Sequence, residues 1–107
     1  MNLLFICSRN KWRSPTAEAI FRNSQRHQAR SAGTSASARV KVNETMIDWA
    51  DLIFVMEQRH RQLLQERFAI DKKIIVLDIE DDYQFMDDEL VDMIKNGVAP
   101  YLNFKSL

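Results

Sequence analysis

Short apolar runs alternate along the chain with longer stretches in which apolar residues recur at helical spacing. Three runs are continuous and rich in branched or aromatic residues: LLFIC at 3–7, DLIFVM at 51–56 and KIIVLDI at 73–79. Continuous apolar runs are typical of strands that are covered on both faces of a parallel sheet. A weaker run, ARSAG at 29–33, predicts a short edge strand.

The stretches between these runs predict helices. The first begins near Ser14, whose side chain can cap a helix, and it has Pro15 in its first turn. Strands that alternate with helices define an α/β fold built on a parallel sheet. The predicted helices cover about 14–26, 43–49, 58–68 and the region from 87 onward.

Length and charge exclude several classes of protein. The chain has 107 residues, the length of one compact domain, so we expect a single domain over 1–107. With 15 basic and 15 acidic residues, no net charge draws it to nucleic acid or an anionic membrane. Its single cysteine cannot form an internal disulfide, and neither a signal peptide nor a membrane-spanning run is apparent. We therefore expect a reducing compartment, most simply the cytoplasm.

The segment CSRNKWRS, residues 7–14, joins the end of the first strand to the start of the first helix. A loop in this position points its backbone N–H groups inward, and the helix dipole adds about half a positive charge there. Such an anion cradle would favour Cys7 as the thiolate. Arg13 at its rim could hold two oxygens of a tetrahedral oxyanion. A nucleophile beneath a phosphate-sized hole predicts phosphoryl transfer to sulfur.

This reaction also needs an acid that protonates the leaving oxygen. Ligand sites in doubly wound folds gather at the carboxyl ends of strands, so we expect the acid just past another strand. The run that follows the last predicted strand offers Asp78, Glu80, Asp81 and Asp82.

Together these features resemble the low-molecular-weight protein tyrosine phosphatases, and the chain is similar to a small bacterial member of that family. The family's phosphate-binding loop is a cysteine, five residues, an arginine, a serine and a proline, which Cys7, Arg13, Ser14 and Pro15 match. Asn10 falls where the family has an asparagine that braces the loop. The segments SPTAEAIF at 14–21, SAGTS at 31–35 and ADLIFVMEQRHRQLL at 50–64 extend the resemblance through most of the chain.

The resemblance implies four parallel strands in the order 2-1-3-4, flanked by helices, in one α/β domain. It also implies a cysteine-dependent phosphatase that hydrolyses phosphomonoesters, protein phosphotyrosine in particular, through a thiophosphate enzyme intermediate. No cofactor or metal is required, and the expected partners are a phosphorylated protein or small phosphomonoester, with a phosphate or sulfate ion in the loop. The implied substrate-binding residues are Ser8, Arg9, Asn10, Lys11, Trp12, Ser14 and Tyr83.

The chain departs from the family pattern at several positions. Family loops usually have a glycine where this chain has Arg9, so we expect Arg9 to need a backbone conformation that glycine reaches more easily, unless the loop is shaped differently. The family's aspartate–proline pair is absent, and two residues compete for the role of acid. Aligning the last strand with that of the family puts Asp78 at the position of the acid. Matching the segment after the strand instead puts Asp81 at that position and Tyr83 at the pocket. Asp81 is slightly favoured because it clears the strand.

Other interpretations remain open at this point. One alternative is a non-catalytic module, which would bind oxyanions in the cradle without hydrolysing a substrate. Another is a structural protein in which Cys7 is buried and inert, and such a protein would bind no oxyanion. Arsenate reduction would need further cysteines, which the chain lacks. His27 and His60 have no partners at metal-ligand spacing, and we expect both at the surface.

Overall fold

The computed structural model describes residues 1–102, in which strands and helices alternate. The strands are β1 (Asn2–Cys7), β2 (Gln28–Gly33), β3 (Leu52–Val55) and β4 (Ile74–Val76). The helices are α1 (Arg13–Ile20), α2 (Glu44–Trp49), α3 (Gln58–Arg67) and α4 (Asp88–Val98), followed by a 3₁₀ turn at Ala99–Tyr101. Within residues 1–102, no helix combines the length and apolar character that crossing a membrane requires.

The strands form one parallel sheet in the order β2-β1-β3-β4, which confirms the expected order and the α/β fold class. β1 is central, and at its end Cys7 lies opposite Gly33 of β2. On the other side, Ile6 lies opposite Val55 of β3. Because all strands are parallel, their carboxyl ends meet at one edge of the sheet. The segments that follow β1, β3 and β4 are therefore brought together.

The two faces of the sheet are both covered, which explains the continuous apolar run of β1. Leu3, Phe5 and Cys7 face one core cluster, whereas Leu4 and Ile6 face the other. All five side chains are at most 3% exposed. The first cluster contains a stack of Phe5 on the rings of Phe21 and Phe54.

The beginning of α1 differs from the sequence-based prediction. Trp12, not Ser14, is the residue before the first helical turn, and its side chain makes no capping bond. Ser14 is fully buried inside that turn, with its hydroxyl 3.0 Å from the sulfur of Cys7. The prediction of Ser14 as a cap was wrong because the site uses its side chain.

The helix also ends earlier than the predicted residue 26, at Ile20. The Ser24 hydroxyl accepts hydrogen bonds from the N–H groups of Arg26 and His27, and such local bonds compete with a helix. His27 is then buried edge-on against the ring of Phe21, 6.0 Å between centroids, so its predicted surface position was wrong.

Gly33 allows the segment after Cys7 to pack directly against the end of β2. A Cβ on Gly33 would lie 2.5 Å from the Ser8 carbonyl oxygen and 2.7 Å from the Ala38 Cβ, closer than real contacts allow. We expect Gly33→Ala to lower the free energy of unfolding by about 1–3 kcal/mol, because the backbone must shift. Urea unfolding measures this change.

Gly97→Ala is the matched control. A Cβ there would meet the end of the Leu77 side chain at 2.8 Å, which can rotate away. Alanine also favours a helix interior by about 0.5–1 kcal/mol. Equal losses of stability in the two variants would contradict the close-packing role of Gly33.

Candidate active site

A small cavity lies at the carboxyl edge of the sheet, above the end of β1. Its volume is about 70 Å³, room for one small group rather than a whole substrate molecule. The loop of residues 8–12, called the cysteine loop below, forms much of its wall. The cavity is lined by Cys7, Arg9, Lys11, Trp12, Arg13 and Asp81.

Hydrogen bonds from outside hold the cysteine loop in its cupped shape. The carbonyl groups of residues 7–10 accept bonds of 2.8–3.2 Å from the segment after β2. In a trans peptide, an outward carbonyl directs the next residue's N–H group inward. The N–H groups of residues 8–11 therefore converge on the cavity, as an anion site requires. The donors are the N–H groups of Thr34, Ser35 and Arg39 and the Nε atom of Arg39.

Asn10 braces the loop from within. It is fully buried, and its Nδ2 atom donates to the Oγ atoms of Ser14 and Ser31, each at 2.9 Å. Its φ of 54° puts it in the left-handed region, which asparagine tolerates better than most residues. Arg9 has no positive φ. Of the two alternatives, the loop is therefore shaped differently, and Asn10 rather than Arg9 adopts the unusual conformation.

Cys7 lies at the base of the cavity and is 3% exposed. Its sulfur accepts a hydrogen bond from the Asn10 N–H at 3.2 Å and lies 3.0 Å from Ser14 Oγ. Ser14 Oγ accepts from Asn10 Nδ2, and its own hydrogen can point to the sulfur at 3.0 Å or to the Ala32 carbonyl oxygen at 3.4 Å. Both contacts stabilise negative charge on sulfur.

Arg13 is 2% exposed, although it carries a positive charge. Its Nη1 atom donates to Glu57 Oε2 at 2.6 Å and to the Ile79 carbonyl at 2.8 Å. Its Nε atom lies 3.6 Å from Asp81 Oδ1, on the side of the cavity. The protein thus anchors one end of the guanidinium group and leaves its Nε edge for an oxyanion, which such a fork binds in a bidentate manner.

Glu57 positions Arg13 through the hydrogen bond between them, a role that the sequence analysis did not assign to it. It also accepts a bond from Arg59 at 3.0 Å. Partial burial raises the pKa of Glu57, but hydrogen bonds from Arg59 and Arg13 outweigh it and lower the pKa to about 2. The available signal was topological: Glu57 follows the end of β3, at the sheet edge where Cys7 lies.

His60 links this anchor to the cysteine loop, and its predicted surface position was wrong because it is fully buried. Its Nδ1 atom accepts from the Glu57 N–H at 3.1 Å, so Nε2 carries the proton and donates to Ser8 Oγ at 2.8 Å. Burial, together with the charges of Arg13 and Arg59, lowers the pKa of His60 to about 4.

The lowered pKa of His60 makes stability depend on pH. Below about pH 6.5 the unfolded chain takes up a proton that the folded His60 rejects, so stability falls as pH falls towards 4. This group should remove about 2 kcal/mol of unfolding free energy between pH 7.5 and pH 5. Glu57 acts only at lower pH, since its stabilisation is lost below about pH 4.5.

Urea unfolding across this pH range tests the effect in wild type and in His60→Gln. We expect a shallower pH dependence in the variant, with the residual slope coming partly from His27, whose pKa burial also lowers. An unchanged slope in His60→Gln would contradict the buried neutral histidine.

The two candidate acids lie in different places. Asp81 lines the cavity, and its side chain is 53% exposed. Asp78 has a φ of 55° and lines a separate cavity with Glu57 and Glu80. Only Asp81 of the two is therefore next to Cys7 and Arg13.

The remaining predicted binding residues divide into two groups. Lys11 and Trp12 line the cavity, with the Lys11 Nζ atom 4.6 Å from the centre of the Trp12 ring. Arg9 also lines it. Ser8 instead turns its hydroxyl to His60. Tyr83 is half-buried against the hydrophobic core and does not line the cavity, in contrast to its expected place as a pocket wall.

Within residues 1–102, no three side chains of histidine, cysteine, aspartate or glutamate lie together in an arrangement that could hold a metal ion.

A parallel α/β sheet with a cysteine and an arginine at one cupped loop is typical of a class of phosphate-binding proteins. Residues 2–50 match the family described as low molecular weight phosphotyrosine protein phosphatase. This match covers slightly less than half of the chain, so the chain is similar to the family over that segment.

The chain is also similar to individual proteins with a named activity. The chain is 27% identical over 96 residues to the protein-arginine-phosphatase of Bacillus subtilis strain 168, and the match covers 64% of each protein, so it spans somewhat less than two thirds of that relative. The structure is similar to the YwlE arginine phosphatase from Geobacillus stearothermophilus, with a TM-score of 0.77, 23% identity, and 97% and 94% of the two chains covered. It is also similar to the tyrosine phosphatase Wzb from Escherichia coli K30 in complex with phosphate, with a TM-score of 0.70, 20% identity, and 94% of each chain covered.

Proposed function

We propose that this protein is a phosphatase that uses Cys7 as a nucleophile and passes through a thiophosphate enzyme intermediate. The observation that supports it most directly is the meeting of Cys7, Arg13 and Asp81 at one small cavity. A thiolate, a bidentate cation and a proton donor are the three groups that phosphoryl transfer to sulfur requires. The family match over residues 2–50 and the relative named as a phosphatase support this proposal.

In the first step, the Cys7 sulfur forms a bond to phosphorus while the bond from phosphorus to the leaving oxygen breaks. The loop N–H groups and Arg13 hold the three remaining oxygens. Asp81 gives its proton to the leaving oxygen, which departs as an alcohol or phenol.

In the second step, water attacks phosphorus and the bond to sulfur breaks. Asp81 takes a proton from that water, and inorganic phosphate is released. Ser14, with its hydroxyl 3.0 Å from the sulfur, stabilises the thiolate as it departs. Asn10 keeps the loop open for the next substrate. Chemistry of this kind depends on a reduced thiol, which a compartment such as the cytoplasm maintains.

The proposed substrates are phosphomonoesters, protein phosphotyrosine in particular. A second candidate is protein phosphoarginine, because the relatives include two proteins named as arginine phosphatases. Hydrolysis of p-nitrophenyl phosphate, of a phosphotyrosine peptide and of a phosphoarginine peptide separates these possibilities.

The choice between the two aspartates provides a test of this mechanism. We expect Asp81→Asn to lower kcat for p-nitrophenyl phosphate by about 10²- to 10³-fold, since it cannot donate the proton. Asp78→Asn is the matched control, because asparagine tolerates the left-handed backbone at that position. We expect it to change kcat by less than about threefold.

The reverse result would contradict this assignment of the acid. A large loss in Asp78→Asn with a normal rate in Asp81→Asn would move the role to Asp78. If the wild-type protein binds phosphate but hydrolyses none of the three substrates, the protein is instead a non-catalytic oxyanion-binding module.

A further inference from the structure

Two cations, Arg9 and Lys11, lie at the mouth of the cavity. Arg9 and Lys11 are both exposed, and both line the cavity. Within residues 1–102 neither forms an ion pair, although the chain has equal numbers of acidic and basic residues. In the proposed phosphatase mechanism their backbone N–H groups bind the phosphoryl oxygens, whereas their side-chain charges have no role.

The structure holds these cations close to the opening. The Lys11 ammonium lies over the Trp12 ring, 4.6 Å from its centre, a contact that restrains the flexible side chain. The backbone of Arg9 is fixed by a 3.0 Å bond from the Arg39 N–H to its carbonyl. The Lys11 ammonium and the backbone of Arg9 are therefore positioned before an anion arrives, which lowers the cost of binding.

The cavity itself accounts for only part of a substrate. Its volume of about 70 Å³ suits the phosphoryl group, whose charge Arg13 and the inward N–H groups already match. Groups next to the phosphoryl group must lie outside, at the rim. Asp81 is the one acid that lines the cavity among the described residues, and its Oδ1 atom lies 3.6 Å from Arg13 Nε.

We propose that Arg9 and Lys11 form a second anion-binding position, so that the preferred substrate is a phosphomonoester with another anionic group close to its phosphate. This rests on the proposed phosphatase function. The same cations repel the positively charged guanidinium of phosphoarginine, so the favoured substrate differs from the one in the names of the arginine-phosphatase relatives.

The second anion could be a carboxylate that flanks a phosphorylated residue or another phosphate on a small molecule. Two matched substrate pairs distinguish these sources. One pair is a phosphotyrosine peptide with glutamate neighbours and the same peptide with glutamine neighbours. The other pair is an alkyl bisphosphate and the corresponding monophosphate. The measurement is the ratio of kcat/KM within each pair, so a change in overall rate cancels.

Wild type should prefer the more anionic member of at least one pair by roughly 3- to 10-fold, as expected for two exposed charge pairs. The preference should shrink at high salt, which screens such charges. In the double variant Arg9→Gln, Lys11→Gln the ratio should approach one. Arg22→Gln, an exposed arginine beyond the far end of α1, should keep the wild-type ratio.

Ratios of one for both pairs in wild type, with p-nitrophenyl phosphate still hydrolysed, would overturn this proposal and leave the phosphatase function intact. A preference that survives in the double variant would also overturn it. So would a higher kcat/KM for a phosphoarginine peptide than for either phosphotyrosine peptide. Absence of hydrolysis of every substrate would instead refute the phosphatase function on which the proposal rests.

Discussion

Cys7→Ser is expected to lower the rate of p-nitrophenyl phosphate hydrolysis by about 10⁴-fold or more, the largest effect of any substitution here. A serine hydroxyl at the base of the cavity is a far weaker nucleophile than a thiolate that receives hydrogen bonds from Asn10 and Ser14. The change is small in volume, so the fold and the loop should persist. Steady-state kinetics measures the loss.

Phosphate binding is the control for Cys7→Ser. Isothermal titration calorimetry should show that the variant still binds inorganic phosphate, because the N–H groups of the loop and Arg13 are unchanged. Loss of both activity and phosphate binding would indicate a collapsed loop rather than a missing nucleophile. A variant with full activity would refute nucleophilic attack by sulfur.

Arg13→Lys is expected to have the second-largest effect, a fall in kcat of about 10³-fold. Lysine keeps the charge but has one nitrogen, which cannot bond Glu57, the Ile79 carbonyl and two oxyanion oxygens at once. Transition-state charge on the phosphoryl oxygens then loses its bidentate partner. The measurements are kcat with p-nitrophenyl phosphate and inhibition by inorganic phosphate.

Arg59→Lys is the matched control for this substitution. Arg59 also bonds Glu57, but its side chain is 58% exposed and does not line the cavity. We expect a change in kcat of less than about threefold, as for most exposed ion pairs. Similar losses in the two variants would mean that Arg13 acts through Glu57 and not on the substrate.

Much of the fold could be predicted from the sequence, because the strands are fully buried and their apolar runs are continuous. The order of strands came from the family resemblance, and the structure confirms it. Element ends were less predictable. β4 covers only Ile74–Val76 of the predicted 73–79. α1 stops at Ile20, and further along the chain the Ser24 hydroxyl accepts hydrogen bonds from the N–H groups of Arg26 and His27.

The site was predictable where its residues adjoin in sequence and less so where they do not. Cys7, Asn10 and Arg13 belong to one segment, whose place between a strand and a helix indicates an anion cradle. Glu57 and His60 are more than 40 residues away from that segment in sequence, and the pairing of strands in the sheet brings them into contact with it. Because His60 lies on a helix of mostly polar residues, its sequence context predicts exposure, and only the tertiary structure shows that it is buried.

Trapping the intermediate tests most directly whether the phosphoryl group is transferred from substrate to the sulfur of Cys7. Wild-type protein is mixed with p-nitrophenyl phosphate, quenched in acid within milliseconds, digested and analysed by mass spectrometry. We expect one phosphoryl group on the peptide that contains Cys7, and none in Cys7→Ala. Turnover with no phosphoryl group on that peptide, or with the group on another residue, would contradict it.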